Sequence, residues 1–280
     1  MRTLLEILNL SVEYLKKKEV EESRFSSELI LTKVLNIKRL DIYLQYDRIL
    51  TENEISKIRA LLIRRSKHEP IQYIIGEVEF YGLNFKVNNS VLIPRSDTEI
   101  LVETAVDFIG DKTLNILEIG TGSGCIAVSL AYACKNVNIS ATDISDEALK
   151  IAEKNAKLNG VGERITFVRQ DILKSVPKYK YDIIISNPPY ISLKVIDALD
   201  KQVKDYEPVE ALTDNKDGLT FYRRINEIIP QILKADGSVF LEIGYDQAEA
   251  VKAIYEKSLT DIKILRDYSN NNRVFIGKLK

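Results

Sequence analysis

The sequence has almost no histidine, cysteine or methionine, and it has no tryptophan. Its 280 residues include one histidine, two cysteines and one methionine. His68 alone cannot form a catalytic triad, a histidine pair or a histidine metal site, so we expect no bound metal. Cys125 and Cys134 are too few for a disulfide framework and lack metal-binding spacing. Any chemistry must therefore proceed without a histidine general base, unless His68 itself serves as one.

Long apolar runs and charge imbalance are also missing. No stretch approaches the roughly 20 apolar residues that a membrane-spanning helix needs. The first eight residues lack the apolar core and cleavage site of a signal peptide. The formal net charge is −1, which provides no overall attraction to nucleic acid. We therefore expect a cytoplasmic protein without membrane contact or stable nucleic-acid binding, and we expect it to be a monomer.

Residues 1–70 have apolar side chains at helical spacing, which predicts a small antiparallel helical bundle. Ser23 and Ser26 are candidate caps of one helix. Thr51 precedes another helix, in the capping-box pattern. Because this part carries no recognisable chemistry, we expect it to dock a protein substrate.

Residues 71–92 change to strand-forming side chains, including Tyr73 and Ile75, broken by glycines. This pattern predicts a β-hairpin that joins the helical bundle to the domain of residues 93–280. A helix follows from about Ile100, for which Thr98 or Asp97 is a candidate cap.

From residue 113 onward, strands and helices alternate, which is typical of a doubly wound α/β sheet. The predicted strands lie at 114–119, 138–142, 165–169, 181–186, 237–243, 262–266 and 273–278. No helix separates the last two strands, so that pair should be antiparallel. We expect a seven-stranded, Rossmann-like sheet with an antiparallel last strand.

The tetrapeptide Asn187-Pro188-Pro189-Tyr190 follows the fourth of these strands. Proline cannot donate to a strand ladder, so the strand must end at Asn187, at the rim where open α/β sheets bind ligands. The side-chain carbonyl of Asn187 and the backbone carbonyl of Pro188 can act as two acceptors for a planar –NH2 group. Tyr190 would add an aromatic wall. Alternatively, Asn187 merely caps its own turn.

A glycine-rich loop follows the first strand and opens a helix. Its residues are Gly120, Thr121, Gly122, Ser123 and Gly124. Such a loop lets the backbone approach a ligand closely. The G-x-G-x-G spacing is shorter than that of the dinucleotide motif G-x-G-x-x-G. Glycines alone therefore leave the ligand open.

Acidic residues at the strand ends narrow the choice of ligand. Asp143 lies where a carboxylate accepts from ribose hydroxyls. Asp171 can accept from an adenine amine, with Ile172 covering the ring. Glu118 precedes the glycines, where it would repel a pyrophosphate and attract an ammonium group. The pattern favours S-adenosylmethionine over NAD, although each acid alone could be a solvated strand end.

The motifs L-E-I-G-T-G-S-G and N-P-P-Y resemble those of class I S-adenosylmethionine-dependent methyltransferases that act on a planar nitrogen. The segments I-P-R-S-D-T-E (93–99), Y-E-P (206–208), D-G-L (217–219) and L-E-I-G (241–244) narrow the resemblance. With the helical front domain, they resemble the protein-(glutamine-N5) methyltransferases that modify peptide chain release factors. Ser96 departs from the family pattern P-R-P-[DE]-T-E, and we expect it to alter loop stiffness rather than chemistry.

The resemblance implies that the substrate is the glutamine of a Gly-Gly-Gln loop in release factors, which would modulate translation termination. It implies S-adenosyl-L-methionine as cofactor and S-adenosyl-L-homocysteine as product. Asn187 and Pro188 would be catalytic, and Pro189 and Tyr190 would join them in binding substrate. Asn187 would also contact the cofactor.

Other functions stay open at this point. An adenine-N6 methyltransferase on DNA or RNA would use the same acceptors, with a basic channel and a flipped base. A related family methylates a glutamine of a ribosomal protein. A module that merely binds a nucleoside is a third reading.

Overall fold

The structure is a computed structural model that describes residues 2–280. The chain forms two compact units. One unit consists of the chain up to Glu77 together with Asp200–Tyr206, and the other consists of Val78–Leu199 and Glu207–Lys280. Among residues 2–280, no helix combines the length and the apolar character needed to cross a bilayer.

The first unit is mainly helical. Its elements before residue 77 are β1 (Arg2–Thr3), α1 (Leu4–Lys16), α2 (Ser23–Leu35), α3 (Asp41–Leu44), β2 (Ile49–Leu50), α4 (Glu52–Arg65) and α5 (Ile71–Ile75). Apolar side chains of α1, α2 and α4, such as Leu8, Leu31 and Ile58, form its buried core. The helical spacing in the sequence therefore reflects one shared apolar interior.

The cap predicted at Thr51 is confirmed, because its Oγ1 accepts from the Glu54 amide (3.3 Å) while its own amide donates to Glu54 Oε2 (2.8 Å). The cap predicted at Ser23 or Ser26 is wrong. Ser23 is already the first residue of α2, and its hydroxyl donates to the Val20 carbonyl. Its side chain therefore stabilises the turn that precedes α2 and does not cap the helix.

The strand predicted at Tyr73 and Ile75 is also wrong, because both residues lie in helix α5. Pro70 precedes this helix, and Gly76 ends it with a left-handed φ of +79°. A proline and a glycine thus enclose a five-residue helix that contains the strand-forming residues Tyr73 and Ile75.

From Glu77 onward, the hairpin strands and then alternating strands and helices follow. These elements are β3 (Glu77–Phe80), β4 (Leu83–Lys86), α6 (Ser96–Ile109), β5 (Leu114–Ile119), α7 (Cys125–Ala133), β6 (Val137–Asp143), α8 (Asp146–Leu158), β7 (Ile165–Arg169), β8 (Tyr181–Ser186), α9 (Lys201–Tyr206), α10 (Val209–Leu212), α11 (Thr220–Ile232), β9 (Leu233–Glu242), α12 (Ala248–Tyr255), β10 (Leu259–Arg266) and β11 (Asn272–Leu279). The hairpin side chains Phe80 and Phe85 are buried in the same core as Leu101 of α6. The hairpin is thus packed into the second unit.

The seven-stranded sheet has the order β10-β11-β9-β8-β5-β6-β7. Strands β5 to β9 run parallel to one another, and β11 lies antiparallel between β9 and β10. The predicted fold class and the antiparallel final pair are confirmed. Strand β8 is buried on both faces, since Ile183 and Ile185 join one core and Ile184 the other. Because the chain moves outward in both directions from β5, the β5–β8 boundary is the topological switch point.

Candidate active site

A cavity of about 690 Å³ opens at this switch point. The predicted site residues that line it are Gly120, Thr121, Gly122, Ser123, Asp143, Asp171, Ile172, Asn187, Pro188 and Pro189. Three predicted residues, Glu118, Gly124 and Tyr190, lie outside its lining. The sheet topology therefore brings the glycine loop, the strand-end acids and the proline turn to one cavity.

The glycine loop is fixed by backbone contacts to the neighbouring strand. The amides of Gly120 and Thr121 both donate to the Thr142 carbonyl (2.9 Å each). Gly124 has a φ of +81°, and a Cβ at this position would lie 3.0 Å from the Ala152 Cβ. Gly124 therefore acts by letting helix α8 pack closely, which explains its place outside the cavity.

Asp143, at the end of β6, joins the glycine loop to the next turn. Its Oδ2 accepts from the Gly122 amide (2.8 Å) and its Oδ1 from the Ser145 amide (2.9 Å). Burial raises the pKa of this carboxyl, and the backbone hydrogen bonds act in the opposite direction. The carboxylate thus shapes the loop as well as lining the cavity.

Asp171 follows β7, and its carboxylate is engaged locally. Its Oδ1 accepts from the Leu173 amide (3.0 Å), and its Oδ2 pairs with the Lys174 ammonium group (3.1 Å). Ile172 lies next to it in the cavity wall and is nearly fully buried. This part of the cavity therefore offers a carboxylate beside an apolar surface.

Glu118 lies in β5 behind the glycine loop and is completely buried. Its Oε2 accepts from the Thr121 hydroxyl (2.6 Å). Its Oε1 accepts no well-formed hydrogen bond from residues 2–280, although the nearby Ala127 amide favours the ionised form. Burial raises the pKa of Glu118 to about 7. A buried carboxyl with a free oxygen can be satisfied by a cationic ligand.

The turn after β8 presents two hydrogen-bond acceptors, the side-chain oxygen of Asn187 and the backbone carbonyl of Pro188. Asn187 Nδ2 donates to Thr98 Oγ1 (3.1 Å), and Asn187 Oδ1 accepts no hydrogen bond from the described residues. The Pro188 carbonyl likewise accepts none from residues 2–280. Asn187 therefore does not cap its own turn. The cap predicted at Thr98 or Asp97 is wrong, because α6 already begins at Ser96 and the Thr98 hydroxyl donates to Glu242 Oε2.

Tyr190 is directed into the protein. Its hydroxyl donates to Glu242 Oε1 (3.2 Å), and the aromatic ring in the cavity lining belongs to Phe221. Its backbone carbonyl accepts from Gln247 Nε2 (2.9 Å). Gly218 has a φ of +80°, and a Cβ there would lie 2.2 Å from the same carbonyl oxygen. The turn is thus held by Gln247, the residue before α12, and packs closely against Gly218 in the loop before α11.

Four residues of this support were not predicted: Thr98 as a bridge, Gly218, Glu242 and Gln247. Three of them lie within the motifs I-P-R-S-D-T-E, D-G-L and L-E-I-G, so the sequence marked their positions without showing their contacts. Nothing in the sequence singled out Gln247.

Comparisons with known proteins show the family to which the chain belongs. A family model for the PrmC N-terminal domain matches residues 6–76, and one for the methyltransferase small domain matches residues 96–203. A release factor glutamine methyltransferase of Fusobacterium nucleatum is 42% identical, over 98% of this chain and 78% of that protein. Another from Geobacter sulfurreducens is 37% identical, over 99% of this chain and 97% of its own length. The chain belongs to the release factor glutamine methyltransferase family.

The family resemblance predicted from the motifs is thereby confirmed, and the chain is a methyltransferase. The matches to this family cover nearly the whole length of the chain, including most of the helical residues before 77. A methyltransferase structure from Pyrococcus furiosus matches 80% of this chain and 98% of its own, with a TM-score of 0.53 and 19% identity. That likeness supports the fold alone.

Proposed function

We propose that this protein transfers a methyl group from S-adenosylmethionine to the side-chain amide nitrogen of the Gly-Gly-Gln glutamine in peptide chain release factors. Within the family, the observation that carries this proposal is the pair of free acceptors at Asn187 and Pro188 in the cavity wall. Two acceptors suit the two hydrogens of a primary amide. A glutamate side chain in place of the substrate glutamine would face these two acceptors with oxygens only, so it could donate no hydrogen bond to them.

The cavity suits a cation without phosphates. Carboxylates of Glu118, Asp143 and Asp171 lie behind or around the glycine loop, where a pyrophosphate would be repelled. The free Oε1 of Glu118 suits an ammonium group, Asp143 suits ribose hydroxyls, and Ile172 suits an adenine ring. When bound, S-adenosylmethionine supplies an electrophilic methyl group on a positively charged sulfur.

The residues of the turn act on the substrate nitrogen by orientation. An amide nitrogen is a poor nucleophile, because its lone pair is delocalised into the carbonyl. Hydrogen bonds from its two N–H groups to Asn187 Oδ1 and Pro188 O fix the nitrogen and favour the positive charge that it acquires. Positioning of this kind contributes up to roughly 7–11 kcal/mol in ideal cases. The methylated nitrogen is acidic enough to release its proton to solvent without a histidine base.

The helical unit is the proposed docking site for the release factor. Around α3 it exposes Leu40 and Leu44, with 68% and 67% of their surfaces accessible, and Tyr46 follows with 55%. Adjacent exposed apolar side chains of this size are typical of interaction surfaces. Leu44→Glu should raise the KM for release factor by about tenfold, as for a truncated interface residue, and leave cofactor affinity unchanged. Leu158→Glu on α8, also exposed, is the control.

The function is tested by incubating the purified protein with release factor and S-adenosylmethionine. Mass spectrometry should place one methyl group on the glutamine of the Gly-Gly-Gln loop, with S-adenosylhomocysteine formed in equal amount. A release factor with glutamate at that position should gain none. Methylation of adenine in DNA or RNA under the same conditions, with none on release factor, would contradict the proposal.

A further inference from the structure

Glu242, the last residue of β9, is a buried carboxylate that contacts the proline turn directly at Tyr190 and reaches Asn187 through Thr98. Only 2% of its surface is exposed. Its Oε2 accepts from the Thr98 hydroxyl at 2.6 Å, and its Oε1 accepts from the Tyr190 hydroxyl at 3.2 Å. Thr98 in turn touches Asn187, the first residue of the turn. One acid therefore reaches both Asn187 and Tyr190.

The direction of these hydrogen bonds determines how the Asn187 amide is turned. A threonine hydroxyl has one hydrogen to donate. Thr98 gives that hydrogen to Glu242, so its oxygen can only accept from Asn187. An acceptor requires the –NH2 end of the amide, which places Nδ2 on Thr98 and leaves Oδ1 for another partner. The buried charge thus sets the orientation of a side chain that it does not touch.

We propose that Glu242 is a positioning residue that acts through Thr98 to hold the Asn187 amide with its carbonyl oxygen available to the substrate, while it holds the far end of the turn through Tyr190. This inference rests on the proposed function, since the available oxygen is the one that receives the glutamine amide. If the Asn187 amide were turned the other way, its –NH2 group would face the –NH2 group of the substrate glutamine, and no hydrogen bond could form between them.

Several charged and titratable groups face Glu242. Arg273 of β11 lies near it and is paired with Asp267 (3.0 Å) and Asp97 (3.2 Å). The Tyr222 hydroxyl of α11 donates to the Glu242 backbone carbonyl (2.8 Å). The Cys125 thiol of α7 lies within the electrostatic influence of the Glu242 carboxylate.

Burial raises the pKa of Glu242 to about 6, against the opposing influence of Thr98, Arg273 and Tyr190. Below that pH, the protonated carboxyl can donate to Thr98. The threonine hydrogen is then free to turn toward Asn187, which favours the reversed amide. Turnover should therefore fall on the acid side with a midpoint near this value.

The first test removes the Thr98 hydroxyl, which links Asn187 to Glu242, and changes the shape of the side chain little. Thr98→Val should lower kcat by at least about tenfold, equivalent to one lost hydrogen bond of about 1.4 kcal/mol, without changing cofactor affinity. Thr98→Ser, which keeps the hydroxyl, should restore most of the loss. The matched control is Thr104→Val in the same helix, where the hydroxyl donates only to the Ile100 carbonyl (2.7 Å). Equal kcat in Thr98→Val and Thr104→Val would overturn the proposal.

The second test uses Glu242→Gln, which cannot ionise. Its pH–kcat profile should lack the acid limb near pH 6 that the wild type shows. An unchanged acid limb in this variant would overturn the role of Glu242.

A third measurement does not depend on activity. The side-chain amide signals of Asn187 in proton–nitrogen correlation spectra, identified by their loss in Asn187→Asp, should shift in Thr98→Val and move near pH 6 in the wild type. They should stay in place in Thr104→Val. If the signals respond in this way but the protein methylates no release factor, the hydrogen bonds from Asn187 through Thr98 to Glu242 are supported and the proposed function is rejected. Signals that do not respond reject the chain itself.

Discussion

Replacing Glu118 by glutamine should stabilise the cofactor-free protein, and the gain should depend on pH. Glu118 is completely buried, and one of its oxygens accepts no well-formed hydrogen bond from residues 2–280. Its ionised form is therefore costly in the folded chain, whereas in the unfolded chain it is solvated. Glutamine keeps the acceptor for Thr121 and removes the charge.

The magnitude follows from the pKa of Glu118, which burial raises from an ordinary 4.5 to about 7. Because folding favours the protonated form, this group's contribution to stability is fully present below pH 4.5 and is lost as pH rises through 7. Each pH unit between the two pKa values changes the free energy of unfolding by about 1.4 kcal/mol, which gives a total loss of about 3 kcal/mol.

The assay is urea unfolding followed by circular dichroism at several pH values between 5 and 8, without cofactor. The difference in free energy of unfolding between Glu118→Gln and wild type should grow by about 2.5 kcal/mol over this range, because part of the total loss has already occurred at pH 5. Glu249→Gln, at an exposed position of α12, should show no such growth. A Glu118→Gln difference that is the same at pH 5 and pH 8 would refute the reasoning, because it would mean that Glu118 ionises equally in both states.

Four further outcomes are expected. Asn187→Asp should lose at least about tenfold in turnover while binding cofactor normally, because a rotated carboxylate does not replace a fixed amide oxygen; wild-type turnover would exclude orientation as the limiting factor. Asp143→Ala should weaken cofactor binding by about 1–3 kcal/mol in calorimetry, and unchanged affinity would remove this residue from the site. Ser96→Pro should raise the free energy of unfolding by about 0.4–1 kcal/mol, since position 96 begins α6, where proline is preferred; a lower melting temperature would contradict this. Gly218→Ala should reduce methyl transfer in steady-state assays, because its Cβ would collide with the Tyr190 carbonyl oxygen, and wild-type kinetics would show that the turn tolerates displacement.

What could be predicted from the sequence was whatever is encoded locally. The β-branched run before Asn187, the prolines that end it and the glycines after Ile119 each carry their meaning within a few residues. Thr51 and Glu54 are a pair of the same kind. These signals were enough to bring most of the predicted site residues to the cavity, because strand ends of a parallel sheet meet at one edge.

The contacts that support the turn could not be predicted, because their partners are far apart in the chain. Thr98 lies 89 positions from Asn187 and 144 from Glu242. Tyr190 looked like an aromatic wall because the sequence cannot show that its hydroxyl has a buried acceptor. Tyr73 and Ile75 have strand propensity, but the flanking proline and glycine determine their conformation.

The neighbouring positions of β5 and β8 have a consequence for how this enzyme can vary. The glycine loop leaves β5 at Ile119, the proline turn leaves β8 at Ser186, and these two residues are paired in register. The Ser186 hydroxyl also donates to the Ile119 carbonyl (2.7 Å). Adjacent strands lie about 4.8 Å apart by backbone geometry alone. The spacing between the glycine loop and the proline turn is thus set by the peptide ladder, so surrounding side chains can vary without changing the distance between these two segments.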